Sequence, residues 1–177
     1  MGELFADTGR GAVLSEDGKY RYTLQRTVGK GERTATFIML NPSTADAEKD
    51  DPTIRKCIGF AKRWQCGQLL VVNLFAWRAT DPAKLKEASD PVGTLNDDHI
   101  LGCVNAAVVT GGKVVCAWGV HGTLHDRNWN VLALIRHRFS PQVATLRCLR
   151  LTKDGHPEHP LLVPYSIELK PFGGNVA

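Results

Sequence analysis

Four short stretches put chemically capable side chains directly behind apolar runs: IMLNPS (38–43), VVNLFAW (71–77), CAWGVHG (116–122) and GHPEHP (155–160). In the first, Pro42 disfavours helical geometry at Asn41 and brings no N–H of its own. The Asn41 carboxamide is thereby held out of regular pairing and can enter a crevice beside Ser43, although Asn-Pro-Ser is equally ordinary turn chemistry. Asn73 closes an apolar run, where an amide must find partners or cost about 1–3 kcal/mol. With a donor and an acceptor side by side it can read the edge of a nucleobase, or it can bond a neighbouring loop. Phe75, Trp77 and Trp118 are large enough to stack on a ring or to fill the core. His121, His156 and His159 can donate a proton, stabilise an anionic leaving group or bind a metal. His156 and His159 lie three residues apart with no clear third ligand, so neither metal nor cofactor is expected. Asp46, Asp50 and Asp51 are nearby carboxylates, with Asp46 placed among the catalytic candidates. Arg55, in the first turn of a helix, and Arg78, after a strand, are candidates for phosphate contact.

These residues need elements to position them. TATFIML (34–40), QLLVVNLFAW (68–77) and KVVCAWG (113–119) read as buried strands, and VATLRCLRL (143–151) as a last one. DDPTIRKCIGFAKRW (50–64) reads as a helix capped by Asp51, with Pro52 at its first position and Ile54, Cys57, Ile58, Ala61 and Trp64 on one face. Asp81-Pro82 repeats the cap. A further helix is expected from Thr94, with Asp97 as its capping-box partner, and another over 123–138. YRYTLQRTV (20–28) suits an exposed or edge strand after the turn SEDGK, an N-terminal β element. Alternation of buried strands and amphipathic helices predicts a single α/β domain over 1–177, a three-layer α/β/α sandwich around a mostly parallel sheet. In such sheets ligands lie beyond the carboxyl ends of the strands, where Asn41, Asn73, Trp118 and the histidines fall.

Size and composition bound the rest. A chain of 177 residues with 43% hydrophobic content can bury one sizeable core. The formal charge of +4 favours an anionic partner only weakly. Five scattered cysteines without a Cys-x-x-Cys pair suit a reducing cytoplasm, and neither a secretory leader nor an apolar run of about 18 residues is present, so a cytoplasmic protein with no membrane partner is expected. There is no Walker lysine loop, no G-x-G-x-x-G behind a strand and no G-x-S-x-G elbow, which counts against ordinary NTPase, dinucleotide and hydrolase readings.

LNPSTAD, DDPTIRKC, NLFAWRATDP and PVGTLND together resemble a bacterial and phage family known as domain of unknown function 1643, over most of residues 10–165. More distantly, the order IMLNP, VVNLF, CAWGVHG and GHPEHPLL is similar to the strand-end motifs of the uracil-DNA glycosylase superfamily. That resemblance implies the superfamily's fold, with Asn41 positioning water, Asn73 reading the base and His156 or His159 stabilising the departing base. It also implies DNA repair chemistry: a hydrolase cleaving the N-glycosidic bond of a damaged or modified base. The substrate-binding set would be Pro42, Ser43, Asn73, Phe75, Trp77, Trp118 and His121, with Arg55 and Arg78 on phosphates and the chain acting as a monomer on DNA or a nucleotide. Two alternatives share the pocket: hydrolysis of a free modified nucleoside or nucleotide, and nucleic-acid or nucleotide binding without catalysis.

Overall fold

The computed structural model describes residues 9–140 and 144–173. Side chains on a strand alternate between faces, and the apolar run at 34–40 uses both. It forms β3 (Thr34–Met39). Ala35, Phe37 and Met39 pack with Ile54, Cys57, Phe60 and Ala61 of α1 (Pro52–Arg63). Ile38 and Leu40 face the other way, onto Ile100, Cys103, Val104 and Ala107 of α2 (Asn96–Val109) and Val131, Leu132 and Ile135 of α3 (Arg127–Arg138). A core therefore lies on each face of the sheet, and each large apolar side chain fully buried in it contributes about 1.5–3 kcal/mol.

The sheet has seven strands in the order β1-β2-β4-β3-β5-β6-β7. The remaining strands are β1 (Arg10–Leu14), β2 (Arg21–Thr27), β4 (Gln68–Asn73), β5 (Lys113–Cys116), β6 (Leu146–Cys148) and β7 (Lys170–Pro171). β4, β3, β5 and β6 are parallel, with Met39 opposite Asn73 and Ile38 opposite Cys116. From β3 the chain runs through α1 to β4 on one side. From β4 it crosses through α2 to β5 on the other side of β3, then through α3 to β6. β3 and β5 are thus neighbours whose outgoing connections diverge, and divergence opens a crevice at their carboxyl ends.

Several expectations need correction. The sheet is mixed: β1–β2, β2–β4 and β6–β7 pair antiparallel, against three parallel pairings. β2 is an interior strand, because β1 covers the edge that its basic residues suggested was open; Arg21 and Arg26 are both buried. Thr94 and Asp97 form no capping box: α2 starts after Leu95 without a side-chain cap, and Asp97 pairs with Arg127. The first turns of the 123–138 segment are a kinked 3₁₀ stretch over Val120–Asp126, with His125 and Asp126 at positive φ. The last strand shrinks to Leu146–Cys148, and residues 141–143 lie outside the described residues. Asp51 caps α1 as expected, its Oδ1 accepting from Ile54 N–H at 2.8 Å. All five cysteines are buried and free. Among the described residues no helix is long and apolar enough to cross a membrane.

Candidate active site

At the carboxyl ends of β3 and β5 lies a cavity of about 430 Å³, within the range of small-molecule sites. Its lining draws on Arg21 at the start of β2, Met39, Leu40, Asn41 and Ser43 at the end of β3, Asp51, Thr53 and Ile54 at the start of α1, Trp118 to His121 behind β5, and Thr152, Glu158 and His159 behind β6. Ala79, Thr80 and Pro82 close the side under the Asp81-capped 3₁₀ turn (Pro82–Lys86).

Backbone bonds hold these walls together. Asn41 Nδ2 donates to Ala79 O at 2.8 Å and to Pro42 O at 3.1 Å, while Ala79 N–H donates to Pro42 O at 2.9 Å. The amide nitrogen is fully engaged, which leaves Asn41 Oδ1 to accept from water or a ligand. On the opposite wall Gly119 adopts φ 71°, open to glycine at little cost, and its N–H donates to Pro157 O at 2.8 Å. That bond ties the end of β5 to the histidine loop. Within the loop, Arg150 holds Glu158 in a two-bond ion pair that keeps the Glu158 carboxyl below its usual range.

His159 Nδ1 accepts from Leu161 N–H at 3.4 Å, capping a short 3₁₀ turn (Pro160–Leu162) that packs on α1. Burial lowers the His159 pKa, so at neutral pH the ring is uncharged; with Nδ1 accepting, Nε2 carries the proton and is free to donate. Trp118 is 2% exposed, meets Phe172 edge-on, and its buried Nε1–H has no protein partner. Asp51 keeps Oδ2 available while Oδ1 caps α1. Arg21, also 2% exposed, donates from Nη1 to Ala45 O at 2.7 Å, and its buried Nε has no partner. Removal from water pulls its pKa down to about 10, so it remains a cation at neutral pH.

Of the sequence-predicted residues, the structure brings Asn41, Ser43, Trp118, His121 and His159 to this one cavity. The others lie off its lining. Pro42 is buried behind Asn41. Asn73 is wholly buried, its amide atoms without partners, opposite the cavity-lining Met39. Phe75 is core on the α2 and α3 face, and Trp77 packs edge-on against Tyr20. His156 bonds through its N–H to Thr152 Oγ1. Asp46 accepts from Glu48 and Lys49 N–H, which lowers its pKa and holds a loop together. Arg55 and Arg78 bond to the carbonyls of Asp50 and Gly18. Among the described residues no group of three or more His, Cys, Asp or Glu side chains is arranged to hold a metal.

Two charged residues at the cavity escape the strand-end rule. Asp51 precedes a helix and Arg21 opens a strand, so neither follows an apolar run. The Asp-Pro cap signal locates Asp51, but no local signal marks Arg21.

A family model described as a protein of unknown function (DUF1643) matches residues 21–161, from Arg21 through the histidine loop. No curated protein and no solved structure matches the chain.

Proposed function

The chain belongs to the DUF1643 family, and we propose that it hydrolyses the N-glycosidic bond of a nucleobase derivative held in the cavity between β3 and β5. The observation that carries this is the convergence of Asn41, Asp51 and His159 on one lining. Breaking a bond between C1′ and a base nitrogen builds positive charge on the sugar and negative charge on the departing base. A water held by Asn41 Oδ1 and Asp51 Oδ2 attacks C1′ and passes a proton to Asp51. The C1′–N electron pair leaves with the base, whose negative charge His159 Nε2–H meets by hydrogen bonding. The base then takes up a proton, and the products are a free base and a sugar bearing a new C1′ hydroxyl. A neutral Asn is a poor base, so the carboxylate of Asp51 takes that role. The strand-end order shared with uracil-DNA glycosylases supports this assignment for Asn41 and His159. It also agrees with a glycosylase-like α/β/α arrangement.

A small substrate is favoured over a base flipped from duplex DNA. Arg55 and Arg78, the cations expected on the phosphate backbone, bond to backbone carbonyls away from the lining. The test is incubation with nucleosides, nucleotides and oligonucleotides carrying natural and modified bases, with chromatography for released base. Release from free nucleosides or nucleotides is expected, and no release from any member of a broad panel removes the proposal.

A further inference from the structure

β2 carries two buried arginines that serve as controls for each other. Arg26, 1% exposed, is saturated: Nε pairs with Asp50 at 2.8 Å, Nη1 donates to Gly11 O and Gln25 O, and Nη2 donates to Asp46 O and Lys49 O. Such a residue is structural, its charge and donors consumed by the loop it holds. Arg21 is buried to the same degree but makes one side-chain bond, to Ala45 O, and its Nε–H is buried without a partner. No ion pair within 4.0 Å joins it to a described carboxylate. Asp51, which also lines the cavity, and Asp46 act on it only from beyond that distance. A guanidinium taken from water without an adjacent anion is costly, and a chain that saturates Arg26 five residues away has left Arg21 incomplete on a cavity wall.

We infer that Arg21 binds an oxyanion of the substrate, a phosphate monoester or a carboxylate, so that the cavity takes a free anionic nucleotide or an acid of similar size. A guanidinium presents donors in a planar fork that matches two oxygens of either group. Burial decides the substrate class further. A phosphodiester inside a duplex carries chain on both sides and cannot be brought to a wall residue only 2% exposed, whereas a terminal monoester or a ring carboxylate can. The N-terminus of α1, whose Thr53 and Ile54 also line the cavity, adds a favourable field for the same charge. This inference rests on the proposed function only in taking the rest of the ligand to be a nucleoside or base.

The test is calorimetric binding at fixed ionic strength with matched probe pairs: each nucleoside 5′-monophosphate against its nucleoside, and 6-carboxyuracil against uracil. Wild type, Arg21→Met and Arg21→Lys are compared after circular dichroism confirms folding. In wild type at least one oxyanion probe should bind 10-fold or more tighter than its neutral partner; preference among the nucleotides identifies phosphate, and preference for 6-carboxyuracil identifies carboxylate. Arg21→Met should erase the preference and Arg21→Lys retain part of it. If Arg21→Met does not fold, the wild type still decides, because inorganic phosphate or acetate should compete with the preferred probe. Equal binding of charged and neutral partners by wild type overturns the inference, as does a preference that survives Arg21→Met. Binding without base release overturns only the proposed hydrolysis. Base release from nucleoside monophosphates with the same KM in wild type and Arg21→Met overturns only the role of Arg21.

Discussion

Asp51 has one structural role and one proposed chemical role, and substitution can separate them. Its Oδ1 caps α1 through Ile54 N–H at 2.8 Å, and its second oxygen belongs to the proposed water-activating pair. Asn is as good an N-cap as Asp, whereas Ala cannot cap and costs about 1 kcal/mol, within a range of about 0.5–2. Both Asp51→Asn and Asp51→Ala remove the negative charge that supports the Arg21 cation, so that loss is common to both and cancels in their difference. The difference between the two variants is therefore the cap alone, about 1 kcal/mol, which for a domain of this size shifts Tm by about 2–4 °C. Activity should follow the other role: both variants lose base release to the same extent, because neither retains a carboxylate. Differential scanning calorimetry and the base-release assay read the two effects on the same samples. Wild-type turnover in Asp51→Asn would refute the assignment of Asp51 to the chemistry, and equal melting of the two variants would refute the cap.

Other perturbations address other walls. Burial lowers the pKa of His159, and of His99 beneath Tyr22, below the ordinary value of 6.5. The unfolded chain therefore binds more protons than the folded one just below that value. Stability is fully present above pH 6.5 and falls as pH drops through the lowered folded pKa values; His159→Gln and His99→Gln should each flatten Tm against pH between about 5 and 7, and curves parallel to wild type would contradict this. A Cβ on Gly122 would sit 2.1 Å from Trp118 Cδ1, so Gly122→Ala must move the indole. Calorimetry should show about 1–3 kcal/mol of destabilisation and weaker probe binding, and unchanged binding would place Trp118 outside the ligand's reach. Asn73→Leu removes two buried polar atoms without partners; Tm should hold or rise and probe affinity should stay within about twofold, whereas a collapse in affinity would restore Asn73 as a base reader.

The parts of the fold that were legible in the sequence are those whose signals are local. The Asp51-Pro52 cap, the run at 34–40 and the helical spacing of Ile54, Cys57 and Ala61 each announce themselves within a few residues, and the structure has α1 and β3 there. Strand pairing at the margins was not legible. β1 and β2 form a hairpin that pairs Arg10 with Arg26 and Ala12 with Leu24, and a strand rich in Arg and Gln reads as exposed until that partner is known. The site divides the same way. Asn41, Ser43, Trp118, His121 and His159 were found because they follow apolar runs, but that rule cannot distinguish a side chain that enters the crevice from one that turns into the core. Asn73 and Phe75 turned inward, and His156 lies off the lining while His159 lies on it.

The hairpin of β1 and β2 gives the cavity its character. The parallel strands β4, β3, β5 and β6, with their helices, suffice to open a crevice at the point where connections diverge. The residues they supply there, Asn41, Asp51, Trp118 and His159 among them, include no lysine or arginine. β2 joins β4 antiparallel, so its first residues lie beside the carboxyl end of β4, and a register shift opposite Val13 and Leu14 separates Arg21 from regular alternation. Arg21 N–H is fixed to Ala76 O at 2.9 Å and its guanidinium to Ala45 O. The cation therefore reaches the cavity from outside the parallel unit, held at its backbone and at one end of its fork. On the proposed reading the hairpin turns a pocket for a flat ring into one that selects for charge, and it is the element whose alteration should change which substrate is accepted while leaving the crevice itself in place.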